Sequence, residues 1–241
     1  MTQTNDSFSF RGLSSTDPQF GIESVMEVER PLAAGTRDRT LDVIGRDGTW
    51  DMGADLEAET HRIRIAIKAA DEFQLRQYAR NISAWLDHTK VGPLIYEDEP
   101  DKQYFARRTG RSLTEDIIHM GFADIFMFCP DPHAYATTTK TASPNEGTAP
   151  TPVRITATMT ANADHLQINL GDQYIRLETA LITGDEVIID TNQGWVALNG
   201  LDARDKLTYD SELRQFLLPA GAFTLTADNA TLSYVYRERW L

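Results

Sequence analysis

From residue 153 to the C-terminus the apolar side chains keep a period of two. Ile155, Ala157 and Met159 alternate with Thr156, Thr158 and Thr160, and Leu166, Ile168 and Leu170 alternate with Gln167 and Asn169. Such a period places every second side chain on one face of an extended chain, so these runs predict half-buried strands. Further strands are predicted at 174–177, 186–189, 195–198, 223–226 and 231–237, with Gly171-Asp172, Gly184-Asp185, Asn192-Gln193-Gly194 and Asn199-Gly200 as turn signals between them. Short strands at this spacing predict a β-sandwich over 153–241.

A boundary precedes it. Between Thr137 and Pro152 the chain reads TTTKTASPNEGTAPTP, crowded with Thr, Ser, Pro, Gly and Asn and without apolar periodicity, which predicts a linker over 138–152. The N-terminal domain is then 1–137. In it His61 to Lys68 alternates, with Ile63, Ile65 and Ile67 on one face and Arg62, Arg64 and Lys68 on the other. Directly after this strand Leu75, Tyr78, Ala79, Ile82, Trp85 and Leu86 recur at three- and four-residue spacing, with Asp71 and Glu72 where a helix N-terminus favours negative charge. Strands are predicted again at 94–96 and 104–106, joined through Glu97-Asp98-Glu99-Pro100-Asp101-Lys102, and at 122–129.

Residues 23–60 do not fold so readily on paper. They carry Pro31, Gly35, Gly45, Gly48 and Gly53 among short strand-like pieces such as Leu41-Asp42-Val43-Ile44. A segment this long without a helix or a long apolar face is expected to be an exposed loop or an extended arm that packs on something else. A neighbouring subunit is one candidate.

Composition removes several function classes. The chain has 241 residues, 41% of them apolar, enough for one large or two modest cores. Its formal net charge of −13 argues against a dedicated duplex-binding surface, because that affinity comes largely from Lys and Arg neutralising phosphates. Anionic membranes are disfavoured likewise. The one cysteine, Cys129, allows no intrachain disulfide and no thiolate zinc cluster. The start, Met1-Thr2-Gln3-Thr4-Asn5-Asp6, lacks the positive flank and apolar stretch of a secretory signal, so synthesis in a cytoplasm is expected. The longest apolar run, Ile125 to Cys129, is five residues, far below the roughly 20 that cross a bilayer, so no membrane insertion is expected.

The residues that could carry chemistry favour structural readings. Histidines 61, 88, 119, 133 and 165 form no HxH or HExxH pair, and His61 and His165 are expected to be partly exposed sheet residues. Cys129 ends an apolar run, where an inert buried thiol is expected, and no GxSxG elbow accompanies it. Glu97, Asp98, Glu99 and Asp101 could supply carboxylates for glycoside hydrolysis or calcium, but lack calcium-loop spacing and read as a solvated turn. Gly45-Arg46-Asp47-Gly48 reads as a tight turn, since no GxxxxGK[ST] follows it. Arg107, Arg108 and Arg111 are too few for nucleic acid on an acidic background and suit interface ion pairs or plain solvation. Trp195, Tyr209, Tyr234, Tyr236 and Trp240 could form a sugar platform, or core plus a capped last strand. No catalytic, cofactor-binding or metal residue emerges, and no enzyme is expected.

Taken in order, certain motifs resemble a known family. Gly45-Arg46-Asp47-Gly48, the strand and helix ending in Ala84-Trp85-Leu86, and the run Pro93-Leu94-Ile95-Tyr96-Glu97-Asp98-Glu99-Pro100-Asp101-Lys102-Gln103-Tyr104-Phe105-Ala106-Arg107 resemble the N-terminal domain of siphophage distal tail proteins. Phe126 to Tyr135 looks like that domain's closing strand, and Gly184 to Thr191 with Val196 to Gly200 is similar to the family's C-terminal sandwich. Each motif alone is a turn plus a strand; their order over most of the chain carries the resemblance. Leu218-Pro219-Ala220-Gly221-Ala222 departs from it, where the family has a tighter Pro-Gly turn followed by Asn.

The resemblance implies a mainly β protein: a β-sandwich-type N-terminal domain with one α-helix and an extended arm at 23–60, then a galectin-like or jelly-roll C-terminal β-sandwich. It implies a homo-hexameric ring, possibly a back-to-back dodecamer, at the distal end of the tail of a virion. The N-terminal domains would form that ring, each arm reaching the next subunit. Its partners would be the tail-tube protein, the tail-associated hub protein and receptor-binding or other baseplate proteins. DNA would pass through without specific binding, and the acidic charge suits a lining along which phosphates slide. The alternative is a carbohydrate-binding adhesin recognising host cell-wall polysaccharide. No cofactor is implied.

Overall fold

The structure is a computed structural model and describes residues 7–110, 114–117 and 120–241. It divides into two compact units, 1–134 with residue 241, and 135–240.

In the first unit the strands are β1 (Phe8–Phe10), β2 (Leu13–Ser14), β3 (Ile22–Glu29), β4 (Thr36–Asp42), β5 (Thr49–Leu56) and β6 (Glu59–Lys68), followed by the helix α1 (Glu72–Trp85). Then come β7 (Gly92–Tyr96), β8 (Lys102–Thr109), β9 (Thr114–Ile117) and β10 (Met120–Cys129), and β11 (Ala134–Ala136) runs across the boundary into the second unit. The main antiparallel sheet runs β2-β1-β7-β8-β10-β6-β3, with β9 paired to β10. β8 belongs to two layers. Its residues Tyr104 to Ala106 pair with β7, and Arg107 to Thr109 pair with β10. A strand that changes partner halfway turns a corner, which lets Phe8 and Phe10 of β1 meet Ile63, Ile65 and Ile67 of β6 in one core. The expected sandwich-type domain with one helix is what forms.

The helix covers that core. Asp71 accepts a hydrogen bond from the Gln74 amide at 2.7 Å, and the Gln74 side chain accepts one from the Ala70 amide at 2.7 Å, a reciprocal cap that fixes where the helix starts. Leu75, Ile82 and Trp85 point inward, and Trp85 stacks on Phe8 and Phe20.

The second unit carries β12 (Val153–Met159), β13 (Ala163–Leu170), β14 (Gln173–Leu181), β15 (Glu186–Asp190), β16 (Trp195–Leu198), β17 (Leu201–Asp202), β18 (Leu225–Ala227), β19 (Ala230–Tyr236) and β20 (Arg239–Trp240). A five-stranded sheet, β17-β16-β15-β12-β19, packs on a three-stranded one, β14-β13-β18. Between them lie Ile155, Ala157, Leu166, Ile168, Val187 and Ile189, the inward members of the alternating runs. The sandwich is as the periodicity predicts.

The expected linker is a correction. Residues 138–152 are pinned to the second unit by bridges Lys140↔Tyr236, Asn145↔Gly221, Ala149↔Arg239 and Thr151↔Leu218. Asn145 donates to the Pro219 carbonyl at 3.0 Å, the Glu146 amide donates to Glu238 Oε1 at 2.6 Å, and Ala149 and Thr151 are buried. Isolated bridges leave no hydrophobic period to read, so polar composition alone mimics a linker.

Among the described residues no helix is long and apolar enough to cross a membrane.

Candidate functional site

The expected arm, 23–60, resolves into three parts, and only the middle one leaves the domain. β3 lies in the main sheet beside β6, with Val25 buried. Its pairing shifts register between Ile22 and Ser24 and again between Val25 and Glu27, and such bulges erase the alternation by which a strand is recognised. β6 begins at Glu59. Between them, β4 and β5 form a separate two-stranded sheet whose side chains are almost all exposed.

This hairpin is closed at its base by a hydrogen bond from the Glu57 amide to the Gly35 carbonyl, 2.7 Å. Val43 to Gly48 form its tip, so Gly45-Arg46-Asp47-Gly48 is the turn that its residues suggest. The pairing skips between Asp38↔Ala54 and Thr40↔Asp51, an extra residue on β5 at Gly53, whose φ of +88° suits glycine. The bulge separates two chemistries. Toward the base, Arg37 and Arg39 both pair with Asp55. Toward the tip, Leu41 stands opposite Trp50, and Leu41, Val43, Ile44, Trp50 and Met52 are all exposed, Ile44 completely. Arg46 covers one side of the Trp50 ring at 5.0 Å. Water-exposed apolar side chains concentrated on one hairpin are more than a lone surface residue and mark a candidate interaction surface. A hairpin with no covered face is marginal by itself.

The root of the hairpin is polar, half-buried on the β3 side and buried on the β6 side. Arg30, one residue past β3, donates to Glu99 Oε2 at 3.1 Å and pairs with Asp98, its guanidinium 4.8 Å from the Tyr96 ring centre. Lys102 also holds Glu99, at 3.0 Å. At the other root, Glu59 and His61 are buried, and His61 Nδ1 lies 2.9 Å from the Tyr96 hydroxyl, with Nε2 3.4 Å from Glu59. Burial, with the Arg30 charge adding to it, lowers the His61 pKa to about 4, and burial raises those of Glu59 and Tyr96. The neutral imidazole then accepts from Tyr96 and donates to Glu59.

Two expectations change here. His61 is 1% exposed, not a partly exposed sheet residue. The acidic turn at 97–102 is not merely solvated, because Asp98 and Glu99 anchor Arg30. The sequence signal for that anchor is faint: one arginine 68 residues from an acidic turn.

The other candidates scatter. His165 lies on β13 and His88 is exposed, while His133 pairs with Asp131. His119 and Arg111 lie outside the described residues. Among the described residues no group of His, Cys, Asp and Glu could hold a metal. Cys129 is buried, which pushes its thiol up to about 12. Arg107 lies over Phe128, and Arg108 donates to the Leu86 carbonyl at 3.1 Å. In the second unit Tyr234 and Tyr236 pack on Phe223, and the buried Tyr236 donates its hydroxyl to the Ala142 carbonyl at 2.7 Å, which makes both part of the core. Trp195 stands opposite Asp190 on the five-stranded sheet, Tyr209 is fully exposed beyond it in sequence, and Trp240 ends β20.

Two family models match the chain: a phage tail protein RIFT-related domain over residues 17–129, and a siphovirus-type tail component, C-terminal domain, over 146–240. The distal tail protein of Bacillus phage SPP1 is 25% identical over 184 residues, 70% of this chain and 71% of that one. The crystal structure of the SPP1 distal tail protein shares the fold, with a TM-score of 0.81 at 18% identity over 98% of this chain and 99% of that one.

Proposed function

This chain belongs to the siphophage distal tail protein family and is a structural protein of the phage tail, and on that premise we propose that it closes into a hexameric ring through its 36–56 hairpin. The single observation that carries the proposal is the bare apolar tip: Leu41, Val43, Ile44, Trp50 and Met52 on a two-stranded sheet whose tip side chains stay exposed among the described residues. A cyclic ring needs a heterologous contact in which one patch of each subunit meets a different patch of the next. A protruding hairpin supplies one half of such a contact. Covering each tip side chain would contribute about 1–2 kcal/mol.

In this reading the first unit forms the ring at the distal end of the tail and the second unit holds receptor-binding or other baseplate proteins. The tail tube meets one face of the ring and the tail-associated hub protein the other. DNA passes through the bore, where a chain of net charge −13 gives phosphates little to adhere to.

Sedimentation of the purified full-length protein tests this. A hexamer, or a dodecamer of two stacked rings, is expected. The double variant Leu41→Asp, Trp50→Asp should sediment as a folded monomer, because both side chains are exposed in the free subunit. A monomer at high concentration for the unaltered chain, or intact rings for the double variant, contradicts the proposal.

A further inference from the structure

The hairpin is joined to its domain by two short segments, 30–35 and 57–58, which by themselves would let it swing. Both roots instead end on one side chain. Arg30 lies over the Tyr96 ring, and His61, two residues past the other root, meets the Tyr96 hydroxyl. Tyr104 supports the arrangement edge-on, 4.8 Å from the His61 ring centre, and Asp98 and Glu99 of the β7–β8 turn hold Arg30 from the far side. We infer that Arg30, with Tyr96 and the Asp98–Glu99 pair, is a direction-setting clasp that fixes the angle at which the hairpin leaves the domain, so that it meets a second copy of this chain already oriented. The inference rests on the assembly role of the hairpin given above and adds the residues that position it.

The geometry separates the clasp from ordinary stability. Arg30 is the last residue before Pro31-Leu32-Ala33-Ala34-Gly35, where Leu32 is fully exposed and no strand pairing exists. Its side chain is part-exposed and touches the apolar core only through the Tyr96 ring over which it lies. What it fixes is where the chain turns away from the sheet. On the other side, Glu59 and His61 lie in β6, held by the full ladder of β10, so that root is rigid already. The free root is Arg30. An arm held in one direction loses less entropy on docking than one that samples many, and the apparent affinity falls by the fraction of time spent in the competent direction.

The test uses the full-length chain with spin labels at Asp47→Cys on the hairpin tip and Arg80→Cys on the exposed face of α1. Cys129 is buried, with its thiol pushed up to about 12, so it stays unlabelled. The distance distribution is measured on dilute protein carrying Leu41→Asp, which keeps it unassembled, with Arg30, Arg30→Gln or Arg30→Lys. The expected result is a narrow distribution for Arg30, one about twofold broader for Arg30→Gln, and an intermediate one for Arg30→Lys, whose single ammonium keeps the charge but cannot span both carboxylates and the Tyr96 ring as the planar guanidinium does. Without the Leu41→Asp change, Arg30→Gln should raise the concentration needed for assembly by about tenfold while the protein stays folded by circular dichroism under the assay conditions. An unaltered distance distribution in Arg30→Gln overturns the clasp. Rings that survive loss of the hairpin overturn the assembly role instead, and the distance measurement, which needs no assembly, still decides the clasp.

Discussion

The indole of Trp85 lies stacked on the ring of Phe20, with 4.3 Å between ring centres and 17° between planes, and its N–H is donated to the Phe10 carbonyl at 3.0 Å. Three distant segments thus meet at one side chain: the helix end, the turn before β3, and β1. Substituting Trp85→Phe should cost about 1–2 kcal/mol, because a buried carbonyl loses its donor. Trp85→Ala should cost about 3–5 kcal/mol through the cavity it leaves. Urea unfolding of the full chain reads both, and the losses should fall on the transition of the first unit while the second unit's midpoint stays put. Equal costs for the two variants would mean that the ring fills no space that matters.

In the segment from Asn145 to Thr151, Gly147 is laid against Arg239 of β20 with no room for an added atom. A Cβ at Gly147 would stand 2.4 Å from the Arg239 carbonyl oxygen and 2.9 Å from its amide nitrogen, both backbone atoms that cannot swing aside. Gly147→Ala should therefore lift this stretch, destabilise the second unit by about 1–3 kcal/mol, and expose 138–152 to protease. Limited proteolysis compares the two proteins directly. Equal resistance would show that the stretch yields without cost.

Acid should act on the first unit through His61. Its pKa in the folded chain is about 4, against 6.5 for an unperturbed histidine, so as pH falls the unfolded chain takes the proton first. The stability is complete above about pH 6.5 and declines toward pH 4, by about 3 kcal/mol at most. Glu59, whose pKa burial raises, works the other way over the lower part of that window. His61→Gln removes the histidine contribution, so its urea midpoint should fall less than that of the unaltered chain between about pH 7 and about pH 4.5. An identical fall in both would rule out a buried neutral imidazole.

Much of this molecule can be read in the chain because much of it is local. Ile63, Ile65 and Ile67, or Leu166, Ile168 and Leu170, announce which face is buried through their spacing alone, since a strand's two faces alternate strictly. The helix shows itself through the period from Leu75 to Leu86 and the Asp71–Gln74 cap, contacts within one turn. The hairpin turn at Gly45 to Gly48 follows from glycines that allow positive φ. What fails is whatever depends on a partner far along the chain. β3 was hidden by two bulges that only the β6 ladder defines. The stretch 138–152 looked like a linker because its order comes from single bridges to Gly221, Tyr236, Leu218 and Arg239 rather than from its own pattern. His61 looked half-exposed because the rings of Tyr96 and Tyr104 that bury it lie on other strands. By itself the sequence determined the strictly alternating strands, the helix and the presence of a segment without a readable core face, all set by short-range periodicity and turn chemistry. Only the tertiary structure decided that this segment is a hairpin with a bare apolar tip and that Arg30 and Tyr96 hold its root, because burial and ion pairing join residues that the chain itself keeps tens of positions apart.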